Sequence, residues 1–241
     1  MSNGVVPVVA ERTMYWDGAS RTEGHSSVGA GATMTTAYLA EGIDSYSTFL
    51  AVLNPGPTAL TLELRYLHES GATYTQTETV PAYSRATPVP TSSITWGTYA
   101  VEMVATNGVP FVAERSLYTG TNWKVLDTSL ASSETSTTWQ FAEGATGTFH
   151  EYVLLGNPSS TPATVNLRFK LENGGAVVNY GITVPARSRA TVDVNGVPGL
   201  SSAIFATTVT SNVPIVAERA MYWPTSGAGW SAMHLSRGRA W

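Results

Sequence analysis

The chain has no cysteine, so neither a disulfide framework nor a thiolate metal site is open to it. Charge is scarce as well: 12% of residues are charged, roughly half the usual share of about 25%. The balance is acidic, at −4, and the basic residues are scattered, so no face is expected for nucleic acid or an anionic membrane. No apolar run approaches the ~20 residues that cross a bilayer, which argues against membrane insertion. Met1-Ser2-Asn3-Gly4 has neither the basic start nor the apolar stretch of a secretion signal. Helical periodicity is missing throughout. His25, His68, His150 and His234 stand apart, without the close spacing of a metal site. There is no Gly-x-Ser-x-Gly elbow, phosphate-cradling loop or calcium-ligand spacing of Asp and Asn. No cofactor and no metal are expected.

Repetition fills the space these absences leave. Ala-Glu-Arg occurs at Ala10-Glu11-Arg12, Ala113-Glu114-Arg115 and Ala217-Glu218-Arg219, a step of about 100 residues, the size of a domain rather than of a solenoid rung. Ala40-Glu41-Gly42 returns as Ala142-Glu143-Gly144, and Asn54-Pro55 as Asn157-Pro158. Val80-Pro81-Ala82 with Ser84-Arg85-Ala86-Thr87 returns as Val184-Pro185-Ala186 with Ser188-Arg189-Ala190-Thr191.

Apolar and polar residues alternate in Leu60-Thr61-Leu62-Glu63-Leu64-Arg65-Tyr66 and again in Val165-Asn166-Leu167-Arg168-Phe169-Lys170-Leu171, the period of half-buried strands. Each copy reads as six or seven short strands separated by turn signals such as Asn54-Pro55-Gly56 and Asn173-Gly174-Gly175. That density points to an all-β chain of two tandem immunoglobulin-like β-sandwiches. The Gly/Ser/Thr-rich stretches 17–36, 119–138 and 224–238 read as linkers. The boundaries become 1–34 for a partial repeat, 35–137 for the first sandwich and 138–241 for the second.

The partial repeat is a last strand without its sheet. Its apolar run includes Val5, Val6, Val8, Val9 and Met14, an edge that invites pairing. Residues 5–16 are therefore a candidate donated strand that would reach a neighbouring molecule by β-augmentation.

Nearly half of the scarce charges recur between copies, which assigns them a shared task. In a strand Glu114 and Arg115 face opposite ways, so the expected pairs join Glu114 to Arg85 or Arg65, and Glu218 to Arg189 or Arg168. Glu41 and Glu143 complete this set of structural ion pairs. Glu41 with Glu114 is also the one carboxylate pair that would suit acid–base hydrolysis, although a third Ala-Glu-Arg in an incomplete repeat argues for a structural role. The recurring aromatics Tyr15, Trp16, Tyr118, Trp123, Tyr222, Trp223 and Trp230 would either stack on sugar rings or pack between consecutive repeats.

Taken together, Ala-Glu-Gly, the strand ending in Asn-Pro, Val-Pro-Ala-x-Ser-Arg-Ala-Thr and the closing Val-Ala-Glu-Arg-x-Met/Leu-Tyr-Trp resemble the Ig-like tandem-repeat modules of bacterial exported and cell-surface proteins. Leu117-Tyr118-Thr119 departs from the Met-Tyr-Trp of the other two copies. The resemblance implies an extracellular or cell-surface location and this architecture; the leading expectation for function is a non-enzymatic module of a stalk, adhesin or filament, whose partners are other copies of itself or neighbouring modules of a longer chain. A carbohydrate-binding accessory module of a secreted enzyme, with a glycan as partner, is the alternative.

Overall fold

Strand-period alternation governs the backbone almost everywhere. The structure, a computed structural model, describes residues 8–16, 23–43, 46–90, 97–119, 125–224 and 230–241. Val5, Val6 and Trp123 lie outside these residues. Among those described there is no α-helix, and the chain is all-β, built of several antiparallel sheets.

An N-terminal hairpin joins β1 (Glu11–Trp16) to β2 (Glu23–Val28). The first half follows with β3 (Thr36–Leu39), β4 (Ser47–Asn54), β5 (Leu60–His68), β6 (Thr73–Val80), β7 (Ser84–Ala86), β8 (Tyr99–Ala105), β9 (Val112–Thr119) and β10 (Val125–Leu130). These form two four-stranded sheets, ordered β3-β8-β5-β6 and β10-β9-β4-β7. Leu50 and Val52 of β4 share a buried core with Leu62 and Leu64 of β5 and with Val101 and Met103 of β8, an arrangement like a β-sandwich.

The second half contains β11 (Ser136–Phe141), β12 (His150–Asn157), β13 (Ala163–Leu171), β14 (Val177–Val184), β15 (Ser188–Asp193), β16 (Phe205–Pro224), β17 (Trp230–Arg237) and β18 (Arg239–Ala240). β16 serves two sheets. Its N-terminal part pairs with β11 and β13, and its C-terminal part with β12 and β17. Trp139 is buried at the centre of this half and donates its indole N–H to the Ile215 carbonyl at 2.9 Å.

Local chemistry explains where the halves differ. β15 runs to Asp193, whereas its counterpart β7 stops at Ala86. Pro88 and Pro90 follow β7 and cannot donate to a ladder. Similarly, β8 and β9 are interrupted where Gly108 takes φ +71°. The corresponding Ser211-Asn212-Val213 lacks that glycine, and the counterparts of β8 and β9 fuse into β16.

Asn54 and Asn157 show why Asn-Pro and Val-Pro-Ala travel together. Each is wholly buried and its side-chain amide donates to three carbonyls: Thr58, Val80 and Pro81 in one case, Thr161, Val184 and Pro185 in the other. The amide pins the turn after β4 or β12 to the end of β6 or β14. Tyr83 and Arg187, three residues after the Val of each motif, both adopt positive φ, at 53° and 50°. Each donates its N–H back to that same turn.

The stretches read as linkers are corrected in part. Residues 23–28, 125–130 and 230–237 are strands that return along the three Ala-Glu-Arg strands. Ser, Thr and Gly conceal β2 and β10, whereas β17 lays Met233 and Leu235 into the core of the second half.

Candidate functional site: a buried junction of ion pairs

The three Ala-Glu-Arg hairpins share one register. Arg12 faces Ser27, Arg115 faces Ser129, and Arg219 faces Ser236. Arg115 is fully buried. Its Nη1 donates to the Glu41 carbonyl at 2.8 Å and to Glu218 Oε2 at 2.7 Å, while Nη2 donates to Ser129 Oγ at 2.7 Å. Arg219 repeats the first of these bonds, donating Nη1 to the Glu143 carbonyl. Ala-Glu-Arg and Ala-Glu-Gly are thus the two sides of one contact.

The glycine of Ala-Glu-Gly is dictated by a ring. A Cβ on Gly42 would lie 2.1 Å from Tyr99, and one on Gly144 would lie 2.3 Å from Phe205. Each glycine also accepts the N–H of that aromatic residue at 2.9 Å.

The decisive pairs cross between the halves. Glu218 of β16 reaches Arg115 of β9, and Arg189 of β15 donates Nη2 to Glu41 Oε2 at 2.8 Å. Burial pushes the Glu41 carboxyl up, against the downward pull of Arg189 and then Arg115. Burial also disfavours the Arg115 cation, but Glu218 and then Glu41 outweigh it, so the guanidinium is held more firmly charged than usual. Such pairs specify an arrangement more than they stabilise it, because desolvation offsets most of the attraction.

Packing around the pairs is close. A Cβ on Gly156 of β12 would sit 3.0 Å from the Ala100 Cβ and 3.7 Å from the Ala40 Cα, so this glycine brings the two halves together. Tyr46 hydrogen-bonds to Tyr222 across the same junction, their rings edge-on with centroids 6.4 Å apart. Ser188 Oγ donates to the His68 carbonyl at 2.9 Å. Asp127 of β10 accepts the Leu235 N–H of β17 at 2.8 Å. Burial, opposed first by that N–H, pushes the Asp127 carboxyl up to about 7. His234 lies 4.0 Å from Asp127, and burial, then Arg219, lowers its pKa.

These geometries correct the expected partners. Glu114 meets neither Arg85 nor Arg65 but Arg12 of β1, at 3.0 Å. Glu218 meets neither Arg189 nor Arg168. Arg65 pairs with Glu63 and Glu102 at 2.5 and 3.0 Å. Arg85 is exposed and donates to Thr87 Oγ1, and Arg168 is exposed with no ion pair among the described residues. The reason is that the Glu of Ala-Glu-Arg is met by the Arg of the copy before it, Glu114 by Arg12 and Glu218 by Arg115, rather than by an arginine on a neighbouring strand of its own sheet.

The remaining candidates divide in the same way. β1 pairs with β2, so the expected donated strand is the first arm of a hairpin, with Val8, Val9, Met14 and Tyr15 exposed. Trp16 and Trp230 are strand residues. Tyr118 packs edge-on against Phe49, Tyr222 against Tyr46 and Tyr152, and Trp223 against Phe149. Gly156 and Asp127 went unread at the sequence level. A glycine inside an otherwise apolar strand, where the first copy has Leu53, was the available signal for Gly156; nothing singled out Asp127.

No family model and no curated protein matches the sequence. Among solved structures the chain is similar to Thermotoga maritima 1070, at TM-score 0.40 and 15% identity over 44% of this chain and 95% of that one. It is also similar to the Anabaena sensory rhodopsin transducer, at TM-score 0.31 and 28% identity over 35% and 82%. A calcium-binding mutant of Bacteroides uniformis β-glucuronidase 2 aligns at TM-score 0.19 and 7% identity, over 95% of this chain and 32% of that one.

Proposed function

We propose that the chain is a non-enzymatic structural protein of the bacterial cell surface or extracellular space, a length of stalk, adhesin or filament. In this reading two immunoglobulin-like β-sandwiches, at about residues 35–137 and 138–241, follow the partial unit in 1–34. One observation carries it. The Arg of the first and of the second Ala-Glu-Arg pairs with the Glu of the next one along the chain: Arg12 with Glu114, and Arg115 with Glu218.

A contact that advances by one copy at each step is a rule for stacking units at a fixed angle. It also occupies the carboxylates that hydrolysis would need, since Glu41 and Glu114 each face an arginine. The partners in this reading are neighbouring units and other copies of the chain.

Equilibrium unfolding tests the reading. A stacked pair of units melts together, and Glu218→Gln splits the single transition into two. A single, unshifted transition for that variant would overturn it, as would glycoside hydrolysis by the parent that Glu41→Gln abolishes.

A further inference from the structure

The face that the second half presents to the first has a counterpart on the first half, and that counterpart is open. Strand register fixes the correspondence. Leu53 and Ala51 stand opposite Arg85 and Glu114 as Gly156 and Leu154 stand opposite Arg189 and Glu218. Tyr118 opposes Ser47 as Tyr222 opposes His150. At the junction these positions are covered; on the first half they line a groove of about 570 Å³ that includes Phe49, Leu53, Arg85, Glu114 and Tyr118.

The opposite end of the molecule carries the matching part. Glu143 corresponds to Glu41 but is 73% exposed, where Glu41 is 4% exposed. Its carboxylate folds back to within 3.3 Å of Arg219 Nη2. Arg219 corresponds to Arg115, which spends the same reach on Glu218. The second half thus has both groups of a junction, turned on each other.

We propose that the groove on the first half is the docking site for the Ala142-Glu143-Gly144 loop of a second copy of this chain, giving head-to-tail association. This rests on the stacking reading above. Glu143 would leave Arg219 for Arg85, and Arg219 would take Glu114, reproducing the pairs Glu41–Arg189 and Arg115–Glu218. Charge complementarity and the same contact already made once within the chain select this occupant.

The hairpin β1–β2 stands in the way. It carries the Ala-Glu-Arg that a docking copy would bring on β16–β17, and it holds Glu114 through Arg12 and Thr128 through His25. Docking exchanges one hairpin for the other, so β1–β2 guards the groove. Leu53 is a second obstacle, filling the space that Gly156 leaves free at the junction, while Ala51 vacates what Leu154 occupies.

Sedimentation velocity across a concentration series provides the test, on the full chain and on a chain lacking residues 1–30. Neither hydrophobic core draws on those residues, which leaves the shortened chain its sheets. The shortened chain is expected to form concentration-dependent species larger than the monomer, and the full chain to do so more weakly. Glu143→Arg and Arg85→Glu, both at exposed positions, each reduce association roughly 30-fold or more. Mixing the two variants restores a dimer, because the two reversed charges again face opposite partners, and Leu53→Gly tightens association. A shortened chain that stays monomeric throughout overturns the proposal, as does association indifferent to Glu143→Arg. Either result leaves the intrachain junction standing, because the Glu218→Gln unfolding test reads that junction alone.

Discussion

Arg115 and Glu218 lie 103 residues apart in sequence and 2.7 Å apart in space, both almost wholly buried. The pair is therefore a long-range clamp whose two members cannot be judged singly. Glu218→Ala takes from Arg115 the one carboxylate it is hydrogen-bonded to, leaving Glu41 as the nearest remaining counter-charge, and should destabilise by about 3–5 kcal/mol. Replacing both, with Arg115→Met and Glu218→Leu, should recover most of that loss. Denaturant titration of the two single variants and the double variant measures the coupling, and additive effects would show that the clamp does not exist.

Gly156 predicts a separation of the halves without loss of either fold. In Gly156→Leu, which copies Leu53, the new side chain meets Ala100 and Ala40 across the junction and Val216 of its own half, whose Cγ1 must shift from 2.8 Å, and it costs about 1–3 kcal/mol, the scale of overpacking. Small-angle scattering should then report a longer particle with unchanged near-ultraviolet circular dichroism. An unchanged radius of gyration would count against the close approach.

The buried asparagines should each resist replacement. Asn157→Ala strips three carbonyls of their donor, and the cost expected is about 2–4 kcal/mol, given 1–3 kcal/mol for each buried group left unsatisfied and partial rescue by water. Asn157→Asp supplies no amide donor and should fare no better. Thermal unfolding of the two variants decides the point.

Asp127 and Glu151 give stability a sign with pH. Burial raises both carboxyls, from 3.8 and 4.5 respectively to about 7. Between those limits the folded protein holds protons that the unfolded chain has released. Their contribution is thus fully present below about pH 4 and is lost as pH rises to about 7, at no more than about 1.4 kcal/mol per pH unit for each group. Asp127→Asn keeps an acceptor for the Leu235 N–H. It should raise the melting midpoint at pH 8 and leave it unchanged at pH 4; equal shifts at the two pH values would rule out the protonated carboxyl.

Much of the architecture was readable because strand period is a local property. Leu60 to Tyr66 and Val165 to Leu171 announce their buried faces without reference to anything distant, and Asn54 and Asn157 mark their turns in the same way. β2 and β10 escaped notice because Ser, Thr and Gly carry no alternation that composition can distinguish from a linker; β17 does alternate, at Met233-His234-Leu235-Ser236, but over too short a run to stand out from the Gly- and Ser-rich stretch before it. The partners of Glu114 and Glu218 escaped for a different reason. Opposite faces of a strand can be inferred from parity, but parity cannot say whether the outward face meets a neighbouring strand of its own sheet or an adjacent unit. The equal spacing of the Ala-Glu-Arg copies was the hint that the answer was the unit before.

β16 has an effect of its own on how the second half reaches a single structure. One unbroken strand of 20 residues runs through two sheets. A slip by one residue against β13 would turn the buried side of that sheet outward. The register against β11 shifts between Thr210 and Ile215, where the strand passes from one sheet to the other. Covalent continuity through that shift keeps the two sheets of the second half adjacent, whereas in the first half β8 and β9 are separate strands joined at Gly108.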